Sequence, residues 1–192
     1  PLLIVATLLA INKYYKMKTK IITLWMASMF APPIVFAQNN PKLTDAEVAS
    51  VAVVANQIDI SYAEIAKKKS KDAEILKFAD TMINDHNAVI GQAAALVKKL
   101  GVTPKDNAVS QQLLSDAEKT KKVLNSKSGK AFDKAYTDNE VAYHKAVIGA
   151  IENLLIPETD NPELKELLTN VVPALKTHLG HAEMVQKMLT GN

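Results

Sequence analysis

The stretch His178 to Met184, read as HLGHAEM, places two imidazoles three residues apart beside Glu183. The chain has 4 histidines, and the other two also stand next to groups with which they can work. His86 follows Asp85 in INDHNAV, and His144 lies four residues after Glu140 in NEVAYH. An imidazole can ligate a metal, carry a proton, or serve as a hydrogen-bonded polar group within a core. Two readings of these residues therefore compete. In one, the rings form a satisfied polar layer, hydrogen-bonded to neighbours such as Tyr143, Asn139 or Asp85. In the other, His86, His144 and His178 supply nitrogen ligands, and Glu140 or Asp59 an oxygen ligand, to one first-row transition ion. Imidazoles suit zinc, copper or iron, while carboxylates favour iron or manganese. His181 shares a face with His178 but points further toward solvent; a surface role is expected for it, with ligation as the alternative. Asp85 and Glu183 flank histidines and can orient a ring by accepting from it, or remain solvated.

For three distant histidines to meet, the elements that carry them must be long and side by side. Apolar residues at steps of three and four predict four long helices. The first opens at Thr44 or Asp45, with Glu47 placed for a capping box, and ends in the KKKSK run; its stripe is Val48, Val51, Ala55, Ile58, Tyr62 and Ile65. The second runs from near Asp72 to Leu100, closed by Gly101, with Ile75, Ala79, Met82, His86, Val89 and Ala93 on its stripe. A more polar segment with Val109, Leu113, Ala117 and Leu124 reads as a shorter crossover helix. The third long helix follows Ser128-Gly129 and is expected to stop near Leu155; Phe132, Tyr136, Asn139, Tyr143 and Val147 form its stripe, with Glu140 and His144 on the adjoining one. The fourth begins at Asn161-Pro162 and reaches about Leu189, with Leu164, Leu168, Val171, Leu175, His178, Ala182 and Val185 inward and Pro173 predicting a kink. Such stripes bury only against one another, so an all-α four-helix bundle with an additional short crossover helix follows. The helix midpoints fall near Gln57, His86, Tyr143 and Lys176, which puts His86, His144 and His178 close to one cross-section.

Composition bounds the function. The 192 residues contain no Cys, which excludes disulfides, thiolate metal sites and cysteine nucleophiles. All 23 basic residues are Lys, and without Arg a nucleic-acid reader is not expected. From Met17 the chain shows two lysines, an apolar stretch and Val35-Phe36-Ala37 before Gln38, the layout of a signal peptide cleaved near Ala37. Residues 1–16 read as an upstream extension, with an unusually long leader as the alternative. Residues 38–43 form a linker and residues 44–190 the bundle domain. Four of the 23 lysines precede Gln38 and no acid does, which leaves 19 Lys against 20 acids, a formal charge of −1. The basic balance thus belongs to the leader. The reading is of a protein without a membrane span after cleavage, placed in the periplasm or secreted, with an envelope protein or a second copy as its partner.

The segments ANQIDISYAEIAKKKSKDAEILKFADTMINDHNAV, AFDKAYTDNEVAYHKAVI and LKTHLGHAEMV resemble the bacterial family called domain of unknown function 4142. Its members are often labelled outer-membrane proteins and are grouped with the ferritin-like superfamily. The resemblance spans Thr44 to Leu189 and implies an exported ferritin-like bundle with no established activity. It does not imply a barrel, because alternating ten-residue strands are absent from the sequence. The di-iron sites of ferritin-like proteins pair Glu and His at a spacing of three. Here Ile83, Val141 and Leu175 occupy those positions, so a standard di-iron oxidase or storage centre is not expected. Met82, Met184 and Met188 read as core filling. Two functions remain: a binding protein holding one Zn, Cu, Fe or Mn ion or a small ligand at the histidine level, or a non-catalytic envelope or stress-related interaction protein whose histidines are structural.

Overall fold

The computed structural model describes residues 42–191. The expected upstream extension, signal peptide and cleavage point near Ala37 lie outside the described residues. Helix α1, Asp45–Lys69, starts at Thr44 with a reciprocal cap. The Thr44 hydroxyl accepts from the Glu47 N–H at 3.4 Å and the Glu47 carboxylate accepts from the Thr44 N–H at 3.0 Å. Helix α2, Ala73–Leu100, starts at Asp72, whose carboxylate accepts from the amides of Glu74 and Ile75, and stops at Gly101, which takes a left-handed φ of 64°. Helix α3, Ala108–Ser126, is capped by Asn107. Helix α4, Gly129–Ala150, passes without a break into a π turn, Ile151–Leu155, and a last turn, α5, Ile156–Glu158. Helix α6, Pro162–Thr190, is capped by Asn161 with Pro162 in its first turn, and Pro173 lies inside it.

Cross-helix contacts fix the topology. Asn56 with His86 and Lys67 with Asp80 set α1 and α2 antiparallel. Lys145 with Glu183 and Glu152 with Lys176 do the same for the α4 arm and α6. Asp85 with His178 and Lys99 with Glu163 pair α2 against α6, and Ser70 with Asp133 and Ala55 with Tyr143 pair α1 against α4. Consequently α2 and α4 point the same way, and a chain linking them must travel back along the bundle. Helix α3 makes that journey beside α1: Lys105 N–H donates to Ala46 O at 2.9 Å at one end, and Lys69 donates to Asn125 O at the other. This is the ferritin-like four-helix bundle, with one long crossover. Among the described residues there is no strand, and no helix is long and apolar enough to cross a membrane.

The core is filled by Ile58, Tyr62, Ile75, Phe78, Met82, Phe132, Tyr136 and Val185, all almost fully buried. Three expectations need correction. The inward stripe of α4 runs through Phe132, Tyr136, Glu140, Val141, His144 and Ile148, whereas Asn139, Tyr143 and Val147 are half-buried. The helix is turned by about one residue relative to the apolar pattern, which brings Glu140 and His144 inside, close to Asp59. On α6 it is Val172, not Val171, that is buried. The α4 arm also outlasts Leu155: the Ile156 N–H donates to Ile151 O across the π turn, and Thr159 closes the end by donating to Leu155 O from its amide at 3.0 Å and its hydroxyl at 2.6 Å.

Candidate metal centre

His86 from α2, His144 from α4 and His178 from α6 meet in the bundle interior. Their ring centroids are 5.9 Å (His86 to His144), 5.4 Å (His86 to His178) and 5.6 Å (His144 to His178) apart, nearly an equilateral triangle. One ligand-type atom from each lies within 4.8 Å of the others. Asp59 of α1, 1% exposed, forms the fourth side. Its Oδ2 is 3.2 Å from His86 Nε2 and 3.5 Å from His144 Nε2. Glu140, fully buried one turn before His144, forms with Asp59 and His144 a second group whose ligand-type atoms also lie within 4.8 Å.

The hydrogen bonds of the three rings define which nitrogens are free. Asn56 spends its amide N–H on Ala52 O at 2.8 Å, so its Oδ1 faces His86 and must accept from Nδ1–H, at 2.7 Å. His144 Nδ1–H donates to the Glu140 carbonyl at 2.9 Å, and His178 Nε2–H donates to Asp85 Oδ2 at 2.9 Å. In each neutral ring the remaining nitrogen then carries a lone pair. Those atoms, His86 Nε2, His144 Nε2 and His178 Nδ1, are buried without a hydrogen-bond partner, and so are Asp59 Oδ1 and Glu140 Oε2. The Asp59 contacts at 3.2 and 3.5 Å do not remove this deficit, because their alignment is not that of a hydrogen bond. Lone pairs of a carboxylate and two imidazoles thus face one another in a buried space, an arrangement that calls for a positive charge between them, as a proton or as a cation.

The electrostatics agree. Burial pushes the Asp59 carboxyl up; close contact with the His86 ring and positive charge on it, positive charge on the His144 ring and the Glu140 carboxyl outweigh it and hold Asp59 below its ordinary value. What compensates Asp59 is thus a positive charge beside it, which neutral rings alone do not supply. Glu140 is pushed well above the usual carboxylate range, first by burial and then by the neighbouring Asp59 charge. One carboxylate is therefore ionised beside one protonated acid. Burial lowers His144 and His178 below the ordinary imidazole value despite the pull of Asp59 on the first and Asp85 on the second, which leaves them in the neutral form that a metal requires.

The remaining sequence candidates separate from this group. His181 is half-buried one turn along α6, with its ring edge-on to Phe78 at 5.0 Å. Glu183 pairs with Lys145 at 2.8 Å rather than with a histidine, and the Tyr143 hydroxyl donates to Ala55 O at 2.9 Å. Met82 fills core as expected, but Met184 and Met188 are exposed. Asn56, which orients His86, went unnoticed in the sequence; its spacing of three from Asp59 on the inner side of α1 was the available signal.

A search of curated proteins finds no match to this chain. Among solved structures, one described as CopM in the Cu(II)-bound form is similar in fold, with a TM-score of 0.57 at 18% identity over 76% of this chain and 98% of that one. The family model for the domain of unknown function DUF4142 matches residues 32–185, most of the chain including every residue of the buried site. The chain belongs to the DUF4142 family.

Proposed function

We propose that the protein binds one divalent first-row transition ion through His86 Nε2, His144 Nε2, His178 Nδ1 and the Asp59 carboxylate, with Glu140 as an adjoining donor. The observation that carries this reading is the set of three imidazoles, each tied to the protein by one nitrogen while the other is buried and unpartnered. A polar layer built for stability alone would leave no such atoms, since each costs about 1–3 kcal/mol. Three imidazoles with one carboxylate suit copper or zinc better than manganese, which prefers oxygen. The Cu(II)-bound state of the similar fold supports copper. A bound copper ion would supply one-electron redox chemistry or simple storage. His86, His144 and His178 hold it, Asn56, the Glu140 carbonyl and Asp85 keep their rings aimed, and Asp59 balances its charge. The lysines, apolar run and small residues of 17–37 support export, and hence a role in the cell envelope.

The test is elemental analysis of the untagged protein, followed by electron paramagnetic resonance after Cu(II) addition. One equivalent of metal with hyperfine structure from three imidazole nitrogens is expected, reduced by His86→Ala or His178→Ala with the helical circular dichroism retained. No retained metal, and no thermal shift with Cu(II), Zn(II) or Fe(II), would instead mark the histidines as a structural polar layer.

A further inference from the structure

The site is enclosed, so an ion must cross a seam between two helices to reach it, and the four seams are closed by different chemistry. Between α1 and α4 the Tyr143 hydroxyl is tied to the Ala55 carbonyl. Between α4 and α6 the ion pair of Lys145 with Glu183 and the bond from Gln186 to Asp138 close the wall. Between α1 and α2 the neutral, half-buried Asn56 covers His86. Only between α2 and α6, among the described residues, does an exposed acid bond directly to a ring of the triad: Asp85, with its side chain 53% exposed, accepts from His178. His178 is also the ring whose anchor is free to move into solvent, since His86 and His144 are held by Asn56 and by the backbone of α4.

We propose that the metal ion enters and leaves through the α2–α6 seam, received there by the Asp85 carboxylate, with His178 as the ligand that gives way. This rests on the metal-binding reading above and adds the route and the residue that governs it. An arriving cation meets an uncompensated carboxylate already in contact with a ligand ring. The carboxylate draws the cation in, and in accepting it releases His178 Nε2, so the ring can turn while His86, His144 and Asp59 remain fixed. Asp85 is a positioning residue for transfer rather than a permanent ligand, so it should change the rates in both directions more than the affinity.

Stopped-flow mixing of the full chain with Cu(II) supplied as its glycine complex, read by quenching of tyrosine fluorescence, tests this. Release is read by mixing the loaded protein with excess chelator. Asp85→Asn keeps an oxygen that can accept from His178 but removes the charge. Uptake and release are both expected to slow roughly tenfold at low ionic strength, with the difference shrinking as salt rises. Asp85→Glu should restore the rates, and Glu183→Gln at the α4–α6 seam should leave them unchanged. Equal uptake rates for wild type and Asp85→Asn, or unchanged uptake with faster release, would overturn the proposal and leave Asp85 as a simple orienting group. If the wild-type chain takes up neither Cu(II) nor Zn(II), the metal reading fails and the route with it.

Discussion

The substitution Asp59→Asn separates a metal centre from a structural polar layer, because the two assign the Asp59 charge opposite duties. Asp59 is buried with Oδ2 at 3.2 Å from His86 Nε2 and 3.5 Å from His144 Nε2, while Oδ1 has no hydrogen-bond partner. If a cation is its natural counter-charge, the metal-free wild type carries an uncompensated carboxylate. Asparagine of the same shape can donate its amide hydrogens to the facing nitrogens, so metal-free stability should hold or rise by about 1 kcal/mol. The metal-bound protein should respond the other way. At a free metal concentration a thousand times Kd, binding stabilises the wild type by about 4 kcal/mol, which for a domain of this size raises Tm by roughly 8–16 °C. Losing one buried charged partner costs about 3–5 kcal/mol, so the metal-induced rise in Asp59→Asn should fall to a few degrees or vanish. Differential scanning calorimetry of both proteins, with and without Cu(II) and Zn(II), measures each quantity. The reasoning is refuted if Asp59→Asn loses about 3–5 kcal/mol without metal and the metal has no effect on either protein. In that case Asp59 serves as counter-ion to a protonated imidazole.

Glu140 is held well above the ordinary carboxylate range, so its proton stabilises the fold below about pH 4.5, and that contribution is lost as pH rises. Glu140→Gln should therefore gain on the wild type above pH 4.5, by at most about 1.4 kcal/mol per pH unit, and equal melting curves at pH 4.5 and pH 8 would contradict it. His144 and His178 are lowered by burial, so their contribution is intact above about pH 6.5 and is lost as pH falls below it. In the Glu140→Gln background, free of the opposing slope, metal-free stability should decline steadily from pH 6.5 to pH 5, and a flat profile would show that these rings do not titrate against folding. The Tyr136 hydroxyl is fully buried without a partner, so Tyr136→Phe should leave stability unchanged or raise it by about 1 kcal/mol in urea denaturation; a loss of more than 2 kcal/mol would reveal a bond that the hydroxyl makes.

The frame and the level of the histidines were legible in the sequence, because caps and periodicity are local. Thr44 with Glu47, Asp72, Gly101 and Asn161 mark helix ends with chemistry that needs no tertiary partner. The meeting of His86, His144 and His178 follows from their shared level, with His86 and His178 on inward stripes and His144 bordering one. What periodicity misplaced was the polar part of the core. A rule that sorts residues by apolarity puts Glu140 and His144 beside the stripe, yet both are buried close to Asp59, with atoms that no hydrogen bond satisfies. Asp59 stands in the sequence only as the alternative oxygen ligand to Glu140. Its place between Ile58 and Tyr62, one turn after Ala55, made it an inward residue whose charge needs a partner supplied by other helices. The run of α4 through Pro157 was equally illegible, since a π turn depends on backbone bonds that leave no residue signature.

The crossover divides the site as well as the chain. The α1–α2 hairpin brings Asp59 and His86, and the α4–α6 pair brings Glu140, His144 and His178, with α3 as the connection between the two halves. Neither half holds the full donor set. Joining Asp85 to His178 closes a loop of 93 residues, whereas Asn56 to His86 closes one of 30, so the hairpins can form before the centre exists. An ion bound between them would couple the last step of assembly to metal supply. Without it, the interface between the halves carries the repulsion of facing lone pairs and becomes the weak plane of the molecule, along which the bundle would open first.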